Sequence, residues 1–171
     1  MIFLSIGSNL SSVFGNRFDN IKKSIDLLKR EQIEVLKISN FFETPSYPNK
    51  KFPKFINVVA KVKFNLTPEI LIKKIFEIEK KMGRIKTIKN NPRTCDIDII
   101  DFKSIVHNSK KVILPHPHAH RRNFVLYPLK EVCKNWTHPI NKQKVDFLIN
   151  NLSLISRNEI TRMKEHVILA K

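Results

Sequence analysis

Apolar positions along this chain follow two rhythms. Phe14, Phe18, Ile21, Ile25 and Leu28 recur at steps of four, three, four and three, which predicts an amphipathic helix. A second helix is predicted through Leu71, Ile72, Ile75, Ile78 and Met82. It opens at Thr67-Pro68-Glu69, a cap residue followed by a first-turn proline and an acid, and Gly83 is its natural stop. The other rhythm is extended. Residues 1–6, 33–43, 55–64 and 96–102 read as strands, with a further short one at 111–114. Residues 84–94 form a polar, basic loop, residues 123–133 a short helix, and residues 144–171 have spacing suited to more helix. The order β-α-β-β-α-β is the ferredoxin-like α+β pattern, a mostly antiparallel sheet with helices packed on one face. No composition break divides the chain, so residues 1–171 read as one domain, with 141–171 a helical extension packed on it.

Composition narrows the class without naming a function. With 171 residues, 42% apolar and 27% charged, the chain can bury a real core and is not disordered or fibrous. No apolar run approaches the ~18 residues of a membrane span. Residues 1–6 lack a basic leader and a cleavage site, which speaks against a signal peptide. Cys95 and Cys133 make neither a disulfide framework nor a zinc site, and a cytoplasmic chain is the simplest reading. Thirty-two Lys and Arg against fifteen Asp and Glu give +17, a surface that attracts phosphates. The lysines are spread everywhere among Ile and Asn, as a compositional bias would also spread them, so charge alone assigns no partner. Glycines number only three, which puts each where another residue would be strained.

The sharpest chemical feature is Arg93-Thr94-Cys95-Asp96-Ile97-Asp98-Ile99. Side chains alternate in a strand, so Asp96 and Asp98 share one face while Ile97 and Ile99 enter the core. Two readings are open: an exposed edge carrying two solvated acids, or a hard-oxygen site for Mg²⁺. The scarcity of acids and the basic flanks favour the metal. Gly83-Arg84, Lys86, Lys89 and Arg93 supply cations that would share the charge of a polyphosphate, although such loops are common in a strongly basic chain. No Walker A or Gly-x-Gly-x-x-Gly loop is present. His116, His118 and His120 alternate, which invites zinc. Pro117 and the helix after it argue against that, and a phosphate-contacting His and Arg beside an aromatic ring is the better reading. Asn57 is a polar residue in an apolar strand, with Phe55 on its face; it braces a loop or reads a ligand edge. Glu79 lies beside the apolar stripe of the second helix, to contact a ligand or pair with a lysine.

Four blocks in order resemble the 6-hydroxymethyl-7,8-dihydropterin pyrophosphokinase family of folate biosynthesis, over residues 1 to about 133. They are Ser5-Ile6-Gly7-Ser8-Asn9-Leu10; Phe42-Glu43-Thr44-Pro45 with Phe55-Ile56-Asn57; Gly83-Arg84 with Pro92-Arg93-Thr94-Cys95-Asp96-Ile97-Asp98-Ile99; and Pro115-His116-Pro117 with Arg122-Asn123-Phe124-Val125-Leu126. The resemblance implies transfer of pyrophosphate from ATP to the hydroxymethyl oxygen of the dihydropterin, leaving AMP. It implies Asp96 and Asp98 as ligands of two Mg²⁺ ions, with Arg84 and Arg93 also catalytic. ATP would be bound by Glu79, Lys86, Lys111, His116 and Arg122. The pterin would stack between Phe55 and Phe124, with Asn57 reading its edge beside Thr44 and Pro45. It further implies small-molecule partners only, with no membrane, no specific nucleic acid and a monomeric enzyme. Ser46-Tyr47, Lys89-Asn90-Asn91, His118 and Arg121 depart from the family pattern. Two other classes fit less well. A basic nucleic-acid-binding module shares the topology but lacks the aromatic motif of RNA-recognition domains. A metal-dependent nuclease lacks a further acid or lysine at convincing spacing.

Overall fold

The computed structural model describes residues 1–84 and 91–166. Its centre is β1 (Ile2–Ser8), seven buried residues paired antiparallel with β4 (Phe55–Lys63) on one side and β5 (Asp96–Phe102) on the other. The far edge of β4 carries both β2 (Glu34–Ile38) and β3 (Asn40–Thr44), again antiparallel. The expected single strand at 33–43 is therefore two. It breaks at Ser39, whose N–H donates to the Val59 carbonyl while its hydroxyl accepts the Val59 N–H.

The helices α1 (Arg17–Arg30) and α2 (Pro68–Lys81) pack on one face of this sheet. α1 begins later than its apolar stripe suggests. The Asn16 side chain caps the N–H groups of Phe18 and Asp19, so Phe14 stays outside the helix and is partly exposed. α2 starts at Thr67 as expected and ends at Gly83, whose φ of +79° lets the Arg84 N–H turn back to the Glu79 carbonyl.

The expectation of helices on one face covers only half of the arrangement. α3 (Asn123–Val132) and α4 (Val145–Asn150) cover the opposite face, burying Phe3 of β1, Val59 of β4 and Ile100 of β5 under Val125, Leu126, Leu129 and Trp136. Trp136 is anchored there by donating its indole N–H to the buried Asp101, 2.8 Å away.

Two short strands, β6 (His107–Asn108) and β7 (Ile113–Leu114), form a separate hairpin. The C-terminal stretch holds a second correction. It is helical through α4 and α5 (Leu154–Asn158), but β8 (Thr161–His166) is a strand paired antiparallel with β3. Thr161-Arg-Met-Lys-Glu-His has no helical stripe, and β3 offers an open edge to it.

Candidate active site

α3 covers only part of its sheet face. Beyond it, the same face opens into a cleft of about 710 Å³. Strand alternation sets its floor. Gly7 lies between Asn57 and Asp96 in register, and Ser5 is paired with Asp98, so all of these line one surface. Gly7 is needed for close approach rather than for an unusual φ, because a Cβ there would stand 3.0 Å from Asn57 Oδ1 and 3.5 Å from the Phe55 ring.

One end of the cleft is neutral. Asn57 is buried and donates through Nδ2 to Thr44 Oγ1 at 3.1 Å, which leaves its Oδ1 over Gly7. Pro45, Phe55 and Phe124 complete this end. Two aromatic rings beside hydrogen-bonding groups are the lining that suits a planar heterocycle.

The other end is charged. Asp96 is approached by Arg84 at 2.7 Å and Arg93 at 3.4 Å, and Asp98 by Arg122 at 3.4 Å and His116 at 3.7 Å. Burial pushes the Asp98 carboxyl up to about 6, and the neighbouring Asp96 charge adds to this. Burial and the Arg122 cation push His116 down to about 4, so beside Asp98 stands a neutral imidazole, not an ion-pair partner. Arg93 and Arg122 also reach the rings of the neutral end, lying 5.8 Å from the Phe55 centroid and 5.4 Å from that of Phe124. Each arginine thus touches one aspartate and one ring. The Arg93 Nε–H is buried with no partner among the described residues.

Glu79 pairs with Arg84, not with a lysine, and accepts the Ile97 N–H at 2.9 Å from between the two aspartates. Burial pushes its carboxyl up to about 7, against the pull of Arg84. It therefore braces Arg84 and β5 from behind. Lys111 is exposed in the turn between β6 and β7, where its N–H donates to Ser109 Oγ, and is not part of the cleft lining. Lys86, Lys89 and Asn90 lie outside the described residues. The three histidines diverge: His116 faces Asp98, His118 donates its backbone N–H to the His116 ring, and the His120 ring packs against His138 at 5.4 Å.

Other residues of the cleft and its supports were not legible as such. Asn9 is buried and clamps two loops. It accepts the Arg93 N–H at 2.7 Å and donates to Ser46 Oγ and the Pro53 carbonyl, both at 3.1 Å. The signal for it was its place directly after Gly7-Ser8 at a strand end. His118 and Arg121 line the cleft, as do Ser153, Ile155, Ser156 and Glu159 from the C-terminal stretch, for which the sequence held no signal.

Known proteins are similar to this chain in sequence and in fold. The chain is 38% identical over 139 residues to a folic acid synthesis protein, fol1, of Pneumocystis carinii, matching 81% of this chain and 18% of that one. It is 37% identical over 142 residues to 2-amino-4-hydroxy-6-hydroxymethyldihydropteridine pyrophosphokinase of Aquifex aeolicus, 83% of this chain and 86% of the relative. The enzyme of the same name from Bacillus subtilis is 31% identical over 133 residues, 77% of each chain. The chain thus spans about a fifth of the length of the fungal relative and most of the bacterial ones. In fold it is similar to a crystal structure of Plasmodium falciparum HPPK-DHPS, with a TM-score of 0.66 and 13% identity, covering 94% of this chain and 46% of that one. Residues 3–134 match the family model described as 7,8-dihydro-6-hydroxymethylpterin-pyrophosphokinase, and with the cleft built from the same blocks, the chain belongs to that family.

Proposed function

We propose that this chain transfers the terminal pyrophosphoryl group of ATP to the hydroxymethyl oxygen of 6-hydroxymethyl-7,8-dihydropterin, as a folate-biosynthetic pyrophosphokinase acting as a monomeric single domain in the cytoplasm. The observation that carries it is the joining of a neutral ring slot to a charged end through Arg93 and Arg122. The cytoplasmic assignment is supported by two cysteines that remain free thiols.

In this reading the pterin lies between Phe55 and Phe124, its edge read by Asn57 Oδ1 and by the backbone near Thr44. The hydroxymethyl oxygen bonds to the β-phosphorus, the bond from that phosphorus to the α–β bridging oxygen breaks, and AMP leaves as the hydroxyl proton departs. Arg93, whose buried Nε–H has no partner among the described residues, and Arg84 and Arg122 orient the phosphates and share their charge. Neutral His116 adds a hydrogen bond without a further cation.

The donor set also fits Mg²⁺. Asp96 and Asp98 present hard carboxylate oxygens from successive positions on one face of β5, the donor type that Mg²⁺ takes. Bound there, two Mg²⁺ ions would neutralise the phosphates and acidify the attacking hydroxyl. Arg84 and Arg93 hold Asp96 in its place meanwhile.

A nucleic-acid module is the weaker reading for a physical reason. RNA-recognition domains stack bases on an open sheet face; here one face is covered by α1 and α2 and much of the other by α3 and α4. The test is AMP release. The wild-type chain is expected to form AMP only when ATP, the dihydropterin and Mg²⁺ are all present, and absence of AMP with all three overturns the proposal.

A further inference from the structure

The family match ends at residue 134, yet the cleft does not. Ser153, Ile155, Ser156 and Glu159, on and around α5, form part of its wall. They are not loosely placed. Asn123, at the first turn of α3, donates through Nδ2 to the Ser156 carbonyl at 2.6 Å, and its Oδ1 accepts the Phe124 N–H at 2.6 Å. One buried amide thus ties the backbone of Phe124 to α5. Glu159 also forms an ion pair with Lys50, in the loop that follows Thr44-Pro45 and carries Ser46 and Tyr47. The segment is in turn held down by β8. That strand pairs with β3, and its Arg162 Nε donates to Glu131 at 2.6 Å, while the other Glu131 oxygen accepts the Asn40 N–H.

The Asn123 and Glu159 ties reach the cleft wall beside Phe124 and the loop after Pro45. Ser153–Glu159 make none of the contacts to Asp96, Asp98, Arg84 or Arg93 described above. We propose that Ser153–Glu159 is a positioning element for the pterin half-site: through Asn123 it fixes Phe124, and through Glu159–Lys50 it holds the 45–54 loop against the slot. This rests on the pterin reading above. Its consequence is selective. Loosening the segment weakens pterin binding and leaves nucleotide binding alone, whereas a purely structural support would weaken both together.

Two sets of variants test it, read by calorimetric titration of an Mg²⁺-loaded non-hydrolysable ATP analogue and then of 6-hydroxymethylpterin into that complex. Asn123→Ala is expected to weaken pterin binding about fivefold, the scale of one lost hydrogen bond, with the nucleotide constant within about twofold of wild type. Lys50→Glu and Glu159→Lys are each expected to weaken pterin binding about two- to fivefold, and the double charge swap to restore it. Unchanged pterin affinity in Asn123→Ala, or an equal loss for both ligands, overturns the Phe124 brace; failure of the swap to restore affinity overturns the loop tie. A wild-type chain that binds nucleotide but no pterin overturns the pterin reading itself, and this failure is distinguishable because it precedes any mutation.

Discussion

One sheet face is used in two ways. Along β1, Phe3 lies under α3 while Gly7 faces the cleft; along β4, Val59 is covered while Asn57 and Phe55 are not; along β5, Ile100 is covered while Asp98 and Asp96 are not. Strand, face and pleat are the same in both halves. The covered half is apolar and stabilises the fold by excluding water. The open half carries a glycine, an amide and two carboxylates, with Asp96 paired to Arg84 and Arg93 and Asp98 to Arg122. Adjacent positions on a strand can therefore serve stability or chemistry according to what lies above them.

The comparison breaks most readily by truncation in the covered half. Phe3→Ala is expected to cost about 3–5 kcal/mol by urea unfolding, from lost burial and the cavity left behind, while the ligand affinities of the folded protein stay as they were. Asp96→Ala is expected to do the reverse. It should lower kcat by on the order of 10²–10³-fold, the scale of one lost electrostatic contact to a transition state, with Tm little changed. A large stability loss with retained turnover would remove Asp96 from the machinery.

Asn57→Ala sharpens the line inside the open half. It removes the donor to the buried Thr44 hydroxyl and the carbonyl over Gly7. Pterin affinity is expected to fall about tenfold, within the ~1–3 kcal/mol range for an unsatisfied buried partner, with nucleotide affinity unchanged. At the charged end the probe is pH. Asp98 must lose its proton to bind a metal, and its carboxyl sits at about 6, so Mg²⁺ affinity should hold above that pH and fall as pH drops through it. Titration of Mg²⁺ at pH 5 and pH 8 checks this, and equal affinities would refute it.

A second pH dependence concerns Glu79. Its folded value of about 7 lies above the ordinary 4.5, so the folded chain holds this proton more tightly than the unfolded one. The stability it contributes is fully present below 4.5 and is lost as pH rises through 7. Glu79→Gln keeps an acceptor for the Ile97 N–H, and metal-free denaturation is expected to show a flatter profile across this window than wild type. An unchanged slope would mean that the burial of Glu79 does not govern it.

Much of this was legible in the residues themselves. Period-two alternation put Asp96 with Asp98 and Phe55 with Asn57, and it sent Ile97 into the core. The cap at Thr67 and the glycine at 83 bounded α2, because those signals are local. What stayed hidden was non-local. That α3 and α4 cross to the second face, that Glu79 meets Arg84, that Asn9 reaches both Arg93 and Ser46, and that residues 161–166 pair with β3 all depend on segments far apart in the chain. The sequence by itself determined β1, β4 and β5, their faces and the chemical types that a phosphate and a flat ring would need. Only the tertiary structure decided where α3 stops along the sheet, and so which side chains are sealed as core and which stand in an open cleft. Burial depends on what packs above a residue, which its neighbours in sequence do not encode.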